Sequence, residues 1–205
     1  MARRTHQQRC RGCGLIPSRC ICERLPRVRL PWPIVGLQHR KEIHKPTNTA
    51  RLLPRVSEGC SLVTIALRGR PWSVELLGES PEKFVVLFPS ADAAQLDAER
   101  LDALAASNHG IILLDGSWRQ AGRMVRRAAG VSTLPRVTLP PGGPSRWPAR
   151  QAPRPDQLCT FEALVRLVAL APHRSGAEAA ELERAYQLLL DGQSGRCDER
   201  LPLPG

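Results

Sequence analysis

Three short, unbroken apolar runs constrain this chain most: Ser61–Leu67, Phe84–Phe88 and Gly110–Leu114, separated by stretches of helical periodicity. A strand with one wet face alternates apolar and polar residues. A strand that is apolar throughout must be covered on both faces, as in a mostly parallel sheet flanked by helices. Further strands are expected at Pro33–Leu37 and Ser132–Leu139. Helices are expected over Thr47–Leu53, Ala91–Ala106, Trp118–Ala129, Thr160–Ala171 and Gly176–Leu190. The fold class is therefore α/β. None of the apolar runs is long enough to span a bilayer, and the N-terminal residues are basic with no apolar signal segment. The expectation is a soluble, cytoplasmic protein with no membrane partner.

The cysteines divide into a cluster and singles. Cys10, Cys13, Cys20 and Cys22 fall within thirteen residues as C-x2-C and C-x-C, whereas Cys60, Cys159 and Cys197 stand alone. With no export signal, clustered cysteines read as metal ligands rather than disulfides. Four thiolates close a tetrahedral structural Zn²⁺ site, and Gly12 and Gly14 suit the tight turn that aims amide N–H groups at sulfur. An iron–sulfur cluster uses the same ligands. The isolated cysteines read as small buried hydrophobes. The Pro-rich, basic stretch Arg24–Pro33 then divides the chain into a zinc knuckle and linker over 1–30 and an α/β domain over 31–205.

Thirty basic residues oppose nineteen acidic ones, and the excess is concentrated in two blocks. Residues 1–55 carry a net +11 and residues 116–155 a net +8 with no acid at all, while 56–115 and 156–205 are mildly acidic. Such blocks suit a polyanion, because each phosphate neutralised releases counterions.

In parallel α/β sheets, ligands bind beyond the carboxyl ends of the strands, on the loops leading into helices. Three loops qualify: Phe88–Asp92, Asp115–Trp118 and Leu158–Glu162. Each carries a hydroxyl (Ser90, Ser117 or Thr160) where a helix N-cap would sit. Capping leaves Asp115 unexplained, and a tryptophan is an unusual start for a surface helix. A carboxylate at a strand end can act as a general base or can anchor a ligand's donor groups. Trp118 can stack on a base or pack into the core.

These residues resemble the DTW-domain family. The segment Leu113-Leu-Asp115-Gly-Ser117-Trp118-Arg-Gln-Ala121 is similar to its Asp-x-Thr-Trp motif, with Ser117 in place of Thr. The Cys10, Cys13, Cys20, Cys22 cluster resembles its zinc knuckle, and His39–Arg51 its stretch ending in Lys-x-Thr-Asn-Thr. Leu87-Phe88-Pro89-Ser90 is similar to its strand-end motif, and Cys159-Thr160-Phe-Glu162-Ala to its Ser-Thr-x-Glu-Ala, with Cys159 in place of Ser.

The resemblance implies an S-adenosylmethionine-dependent enzyme that moves the 3-amino-3-carboxypropyl group to N3 of a tRNA uridine and releases methylthioadenosine. The implied fold is SPOUT-like with a C-terminal trefoil knot, as a monomer or homodimer. Asp115, Ser117 and Trp118 would be catalytic. Leu87, Phe88, Pro89, Ser90, Leu114, Gly116, Leu139, Thr160 and Glu162 would hold the cofactor. His39, Lys41, His44, Lys45, Thr47, Asn48, Arg51, Arg146 and Arg150 would meet RNA, and the four clustered cysteines would hold zinc. Competing readings are a SPOUT-like RNA methyltransferase and a non-catalytic zinc-containing RNA-binding module.

Overall fold

The structure is a computed structural model that describes residues 8–65, 77, 80–149 and 157–195. Six parallel strands form one sheet: β1 (Ile34–His39), β2 (Cys60–Ile65), β3 (Phe84–Leu87), β4 (Ala94–Gln95), β5 (Gly110–Asp115) and β6 (Arg136–Thr138), in the order β2-β1-β5-β3-β6-β4. The helices are α1 (Leu53–Val56), α2 (Ala98–Ala106), α3 (Trp118–Arg127), α4 (Thr160–Ala169) and α5 (Pro172–Ser194).

Both faces of the sheet are covered, as the unbroken apolar strands require. Consecutive residues Ile111, Ile112 and Leu113 of β5 are all buried. Their side chains alternate between two cores: Ile111 and Leu113 join Ile34 under α4 and α5, while Ile112 joins Val35, Leu37 and the α3 residues Met124 and Val125. The first core also takes in Leu15 and Ile21 of the cysteine-rich segment, together with Val28, Leu30 and Trp32 of the basic stretch. A Cβ at Gly192 of α5 would lie 2.4 Å from Leu15 Cδ1, so the N-terminal segment sits directly on that helix.

Four expected elements differ. Ala91–Ala106 is not one helix: Ala94 and Gln95 pair with Val137 and Thr138, and the helix starts only at Ala98, where the Asp97 carboxylate accepts the Arg100 N–H. Edge pairing to β6 overrides the helical spacing of Leu96, whose own N–H donates to Thr138 O. Ser132–Leu139 contracts to the three residues of β6. Thr47–Leu53 becomes a 3-10 turn (Ala50–Leu52) running into the four-residue α1. The last helix begins earlier, at Pro172, with a kink at Ser175 whose hydroxyl donates to Val168 O and Ala171 O. Residues 66 and 67 of the second strand, Arg150, the 150–155 part of the Pro/Gly-rich loop, and Cys197 lie outside the described residues.

Candidate active site and metal centre

A cleft of about 1390 Å³ opens at the carboxyl ends of β1, β5, β3 and β6. His39 ends β1 at its rim and Asp115 ends β5 on its floor, Leu87 and Phe88 follow from β3, and Thr138 and Leu139 from β6. Because all strands run the same way, their ends converge there and each contributes a loop.

Asp115 is the polar centre of the floor and is only 3% exposed. Its Oδ2 accepts from Gln38 Nε2 at 3.2 Å and Asn48 Nδ2 at 2.5 Å, and its Oδ1 accepts from Thr160 Oγ1 at 2.9 Å. One carboxylate therefore ties together β1, the segment after it, β5 and the start of α4. Burial pushes the Asp115 carboxyl above the usual 3.8, and the three donors pull in the opposite direction. A carboxylate offers about four acceptor positions. Three are taken, so one on Oδ1 remains.

Gly116, Ser117 and Trp118 carry the wall onward. Ser117 caps α3: its Oγ accepts the Gln120 N–H, and the Gln120 side chain accepts the Ser117 N–H. That geometry orients Trp118, half-buried, with its ring centroid 5.8 Å from that of Phe88. The two rings make a partly exposed aromatic wall, Phe88 also packing against the second core. Leu87, Phe88, Pro89, Leu114, Leu139 and Thr160 also line the cleft, whereas Ser90 and Glu162 do not.

Thr160 is not the cap of α4. Cys159 is: its sulfur accepts the Glu162 N–H at 3.4 Å, in the place of the motif's usual serine. Burial pushes the Cys159 thiol up to about 11, so the cap is a neutral thiol. This frees the Thr160 hydroxyl for Asp115. Glu162, 1% exposed, accepts from Ser145 Oγ, the Arg146 N–H at 3.2 Å and Arg166 at 3.0 Å, and so pins the loop after β6 from beneath. Arg146 makes a bidentate pair with Glu183 and lies 4.7 Å from the Tyr186 ring centroid.

Of the residues expected to meet RNA, His39, Lys41, Lys45 and Thr47 stand on the cleft rim. Burial lowers the His39 pKa, reinforced by Lys41, Arg40 and Lys45 and opposed by Glu42, so the imidazole is neutral at pH 7. Lys45 pairs with buried Glu42 at 2.6 Å. His44 is exposed beside the cleft. Asn48 lies behind the floor, and Arg51 braces it by donating to Asn48 O and Lys45 O. Sequence reasoning missed Arg119, Arg123 and Arg166 on the wall, although their place in an Arg-rich helix and after the Thr160 motif was a usable signal. It also missed Trp147 and Gln157.

The four clustered cysteines converge as expected. Their sulfurs all lie within 4.8 Å of one another, with contacts of 3.5, 3.6 and 3.9 Å. A Zn–S bond of about 2.3 Å gives a tetrahedron edge of about 3.8 Å, so the cage fits one such ion. Thiolates that bind separate irons of a cluster need a wider one. The Gly12 N–H points at Cys10 Sγ from 3.4 Å. Gly14 has φ +81°, and a Cβ there would lie 2.7 Å from Pro46 O, so only glycine lets the knuckle close against the segment carrying Asn48.

Among the described residues, no helix is long and apolar enough to cross a membrane. No solved structure matches the chain. The model of the DTW domain matches residues 7–194, which spans both the cysteine cage and every strand of the sheet. The chain therefore belongs to the DTW-domain family, a membership consistent with a tRNA-modifying enzyme.

Proposed function

We propose that the protein is an S-adenosylmethionine-dependent transferase that places a 3-amino-3-carboxypropyl group on N3 of a tRNA uridine, with zinc held by the cysteine cage. The observation that carries this reading is a buried strand-end carboxylate, with one acceptor position left, facing an aromatic-walled cleft with a basic rim in a DTW-family chain. The cleft volume of about 1390 Å³ suits a nucleoside cofactor together with a base.

Bound there, S-adenosylmethionine would supply an electrophilic carbon and a neutral thioether leaving group. Leu87, Pro89, Leu114 and Leu139 give its nucleoside an apolar bed. Trp118, its ring tilted 37° from that of Phe88, offers a face on which the uracil ring stacks. The remaining acceptor position of Asp115 Oδ1 receives the N3 proton, and its raised pKa makes it a better acceptor than an exposed aspartate. The exposed arginines of α3 and the Lys41 rim hold phosphates.

Incubation of the purified protein with tRNA and S-adenosylmethionine tests this. The expected products are methylthioadenosine and a uridine heavier by the aminocarboxypropyl group in the nucleoside digest. S-Adenosylhomocysteine with a methylated nucleoside would identify a methyltransferase instead. RNA binding without either product would leave only a binding module.

A further inference from the structure

Two polar atoms of the cleft wall are buried and have no partner: Trp147 Nε1 and Gln157 Oε1. Trp147 is 4% exposed and Gln157 6%, and both line the cleft from the connection between β6 and α4. The indole of Trp32, equally buried but away from the cleft, donates to Leu101 O at 2.8 Å. A donor and an acceptor left unpaired at one cleft disfavour folding unless a ligand completes them.

The chemistry of the pair limits that ligand. The indole N–H only donates and the Gln157 oxygen only accepts, so the ligand must offer an acceptor and a donor. Both protein groups are neutral, and Leu139 and Leu158 line the same cleft. A neutral heteroaromatic edge meets such a pair with no charge to desolvate. Adenine carries a ring-nitrogen acceptor beside an exocyclic amine donor.

We propose that Trp147 and Gln157 read the adenine edge of the nucleoside bound in this cleft, with Trp147 donating to N1 and Gln157 accepting from the 6-amino group. The assignment rests on reading the cleft as an S-adenosylmethionine site. It goes further in making the site selective for a 6-amino purine over a 6-oxo one. A 6-oxo purine reverses the pattern, setting an N–H against Trp147 Nε1 and an oxygen against Gln157 Oε1.

Calorimetric binding of 5′-methylthioadenosine and 5′-methylthioinosine to the full chain tests it, alongside melting of the ligand-free protein. The unaltered protein should prefer the adenosine form on the order of a hundredfold. Gln157→Met keeps the length and removes the acceptor; Trp147→Phe removes the donor. Each should cut the preference about tenfold. Ligand-free Gln157→Met should melt no lower than the unaltered protein, because it deletes an unsatisfied group, a result a structural glutamine would not give. A preference unchanged in both variants overturns the assignment, as does a Gln157→Met protein that melts lower with its preference intact. Equal binding of both nucleosides by the unaltered protein overturns the pair alone. Failure to bind methylthioadenosine and S-adenosylmethionine at all overturns the reading of the cleft and the pair with it.

Discussion

On the proposed reading Asp115 does two jobs through one side chain, and they separate on mutation. Its oxygens accept three donors, from Gln38, Asn48 and Thr160. An amide can keep its oxygen toward Gln38 and Asn48 and turn its NH2 to Thr160, whose hydroxyl then accepts instead of donating, so Asp115→Asn should cost little stability, about 1 kcal/mol or less. As a base, the same change should lower transfer on the order of a hundredfold at saturating cofactor, with cofactor affinity little altered; an anchoring role predicts the reverse split. Thermal melting, cofactor calorimetry and single-turnover methylthioadenosine release separate the effects. The pH dependence follows from burial. With the carboxyl raised above 3.8, turnover should fall as pH drops through that raised value and level off above it. For stability the sign is opposite: the ionised form is the one folding disfavours, so this residue costs stability above its folded pKa and the cost is relieved as pH falls through it. The strand-end carboxylate and the tryptophan were legible in the sequence. That Cys159 caps α4 and releases Thr160 to Asp115 was not, because it depends on where the helix starts to within one residue.

At the scale of elements, α3 joins the wall of the large cleft to a second, open groove of about 380 Å³, and His39, Arg119, Gln120 and Arg123 line both. Arg119, Arg123 and Arg127 recur every four residues, so they stand about 6 Å apart along the helix, on the groove side. Among the described residues no ion pair involves them, which leaves their charges available to a polyanion. Replacing Arg123 and Arg127 by Glu should weaken tRNA binding across all sequences and reduce the slope of log affinity against log salt by about 1 for every phosphate that the variant no longer neutralises. A salt titration of binding checks it; an unchanged slope in a folded variant places the RNA on another face. The Arg spacing was readable from the sequence because α3 is a well-capped, strongly periodic helix. The two-residue β4 was not, since nothing local in Ala94-Gln95 favours a strand; only the partner β6 makes it one.

Across the whole molecule, the cysteine cage is joined to the large cleft by packing rather than by proximity along the chain. Gly14 packs on Pro46, and Arg51 ties Lys45 and Asn48 to the same segment, with Asn48 holding Asp115. One zinc per chain is expected, and Cys10→Ser/Cys20→Ser should abolish it, lower Tm by roughly 5–10 °C and weaken cofactor binding through Asn48. Metal analysis with melting and calorimetry checks all three; full zinc content in the double variant removes the assignment. The sequence by itself determined the α/β class, the parallel strands and the ligand set of the cage, because unbroken apolar runs and C-x2-C/C-x-C spacing are local patterns with few physical solutions. Tertiary structure alone decided that the knuckle shares a core with α5, that Arg146 is committed to Glu183, and that Trp147 and Gln157 face the cleft without partners. Those outcomes turn on which distant side chains meet, and hydrogen-bond satisfaction across 16 to 77 residues of chain is fixed only when the whole core closes.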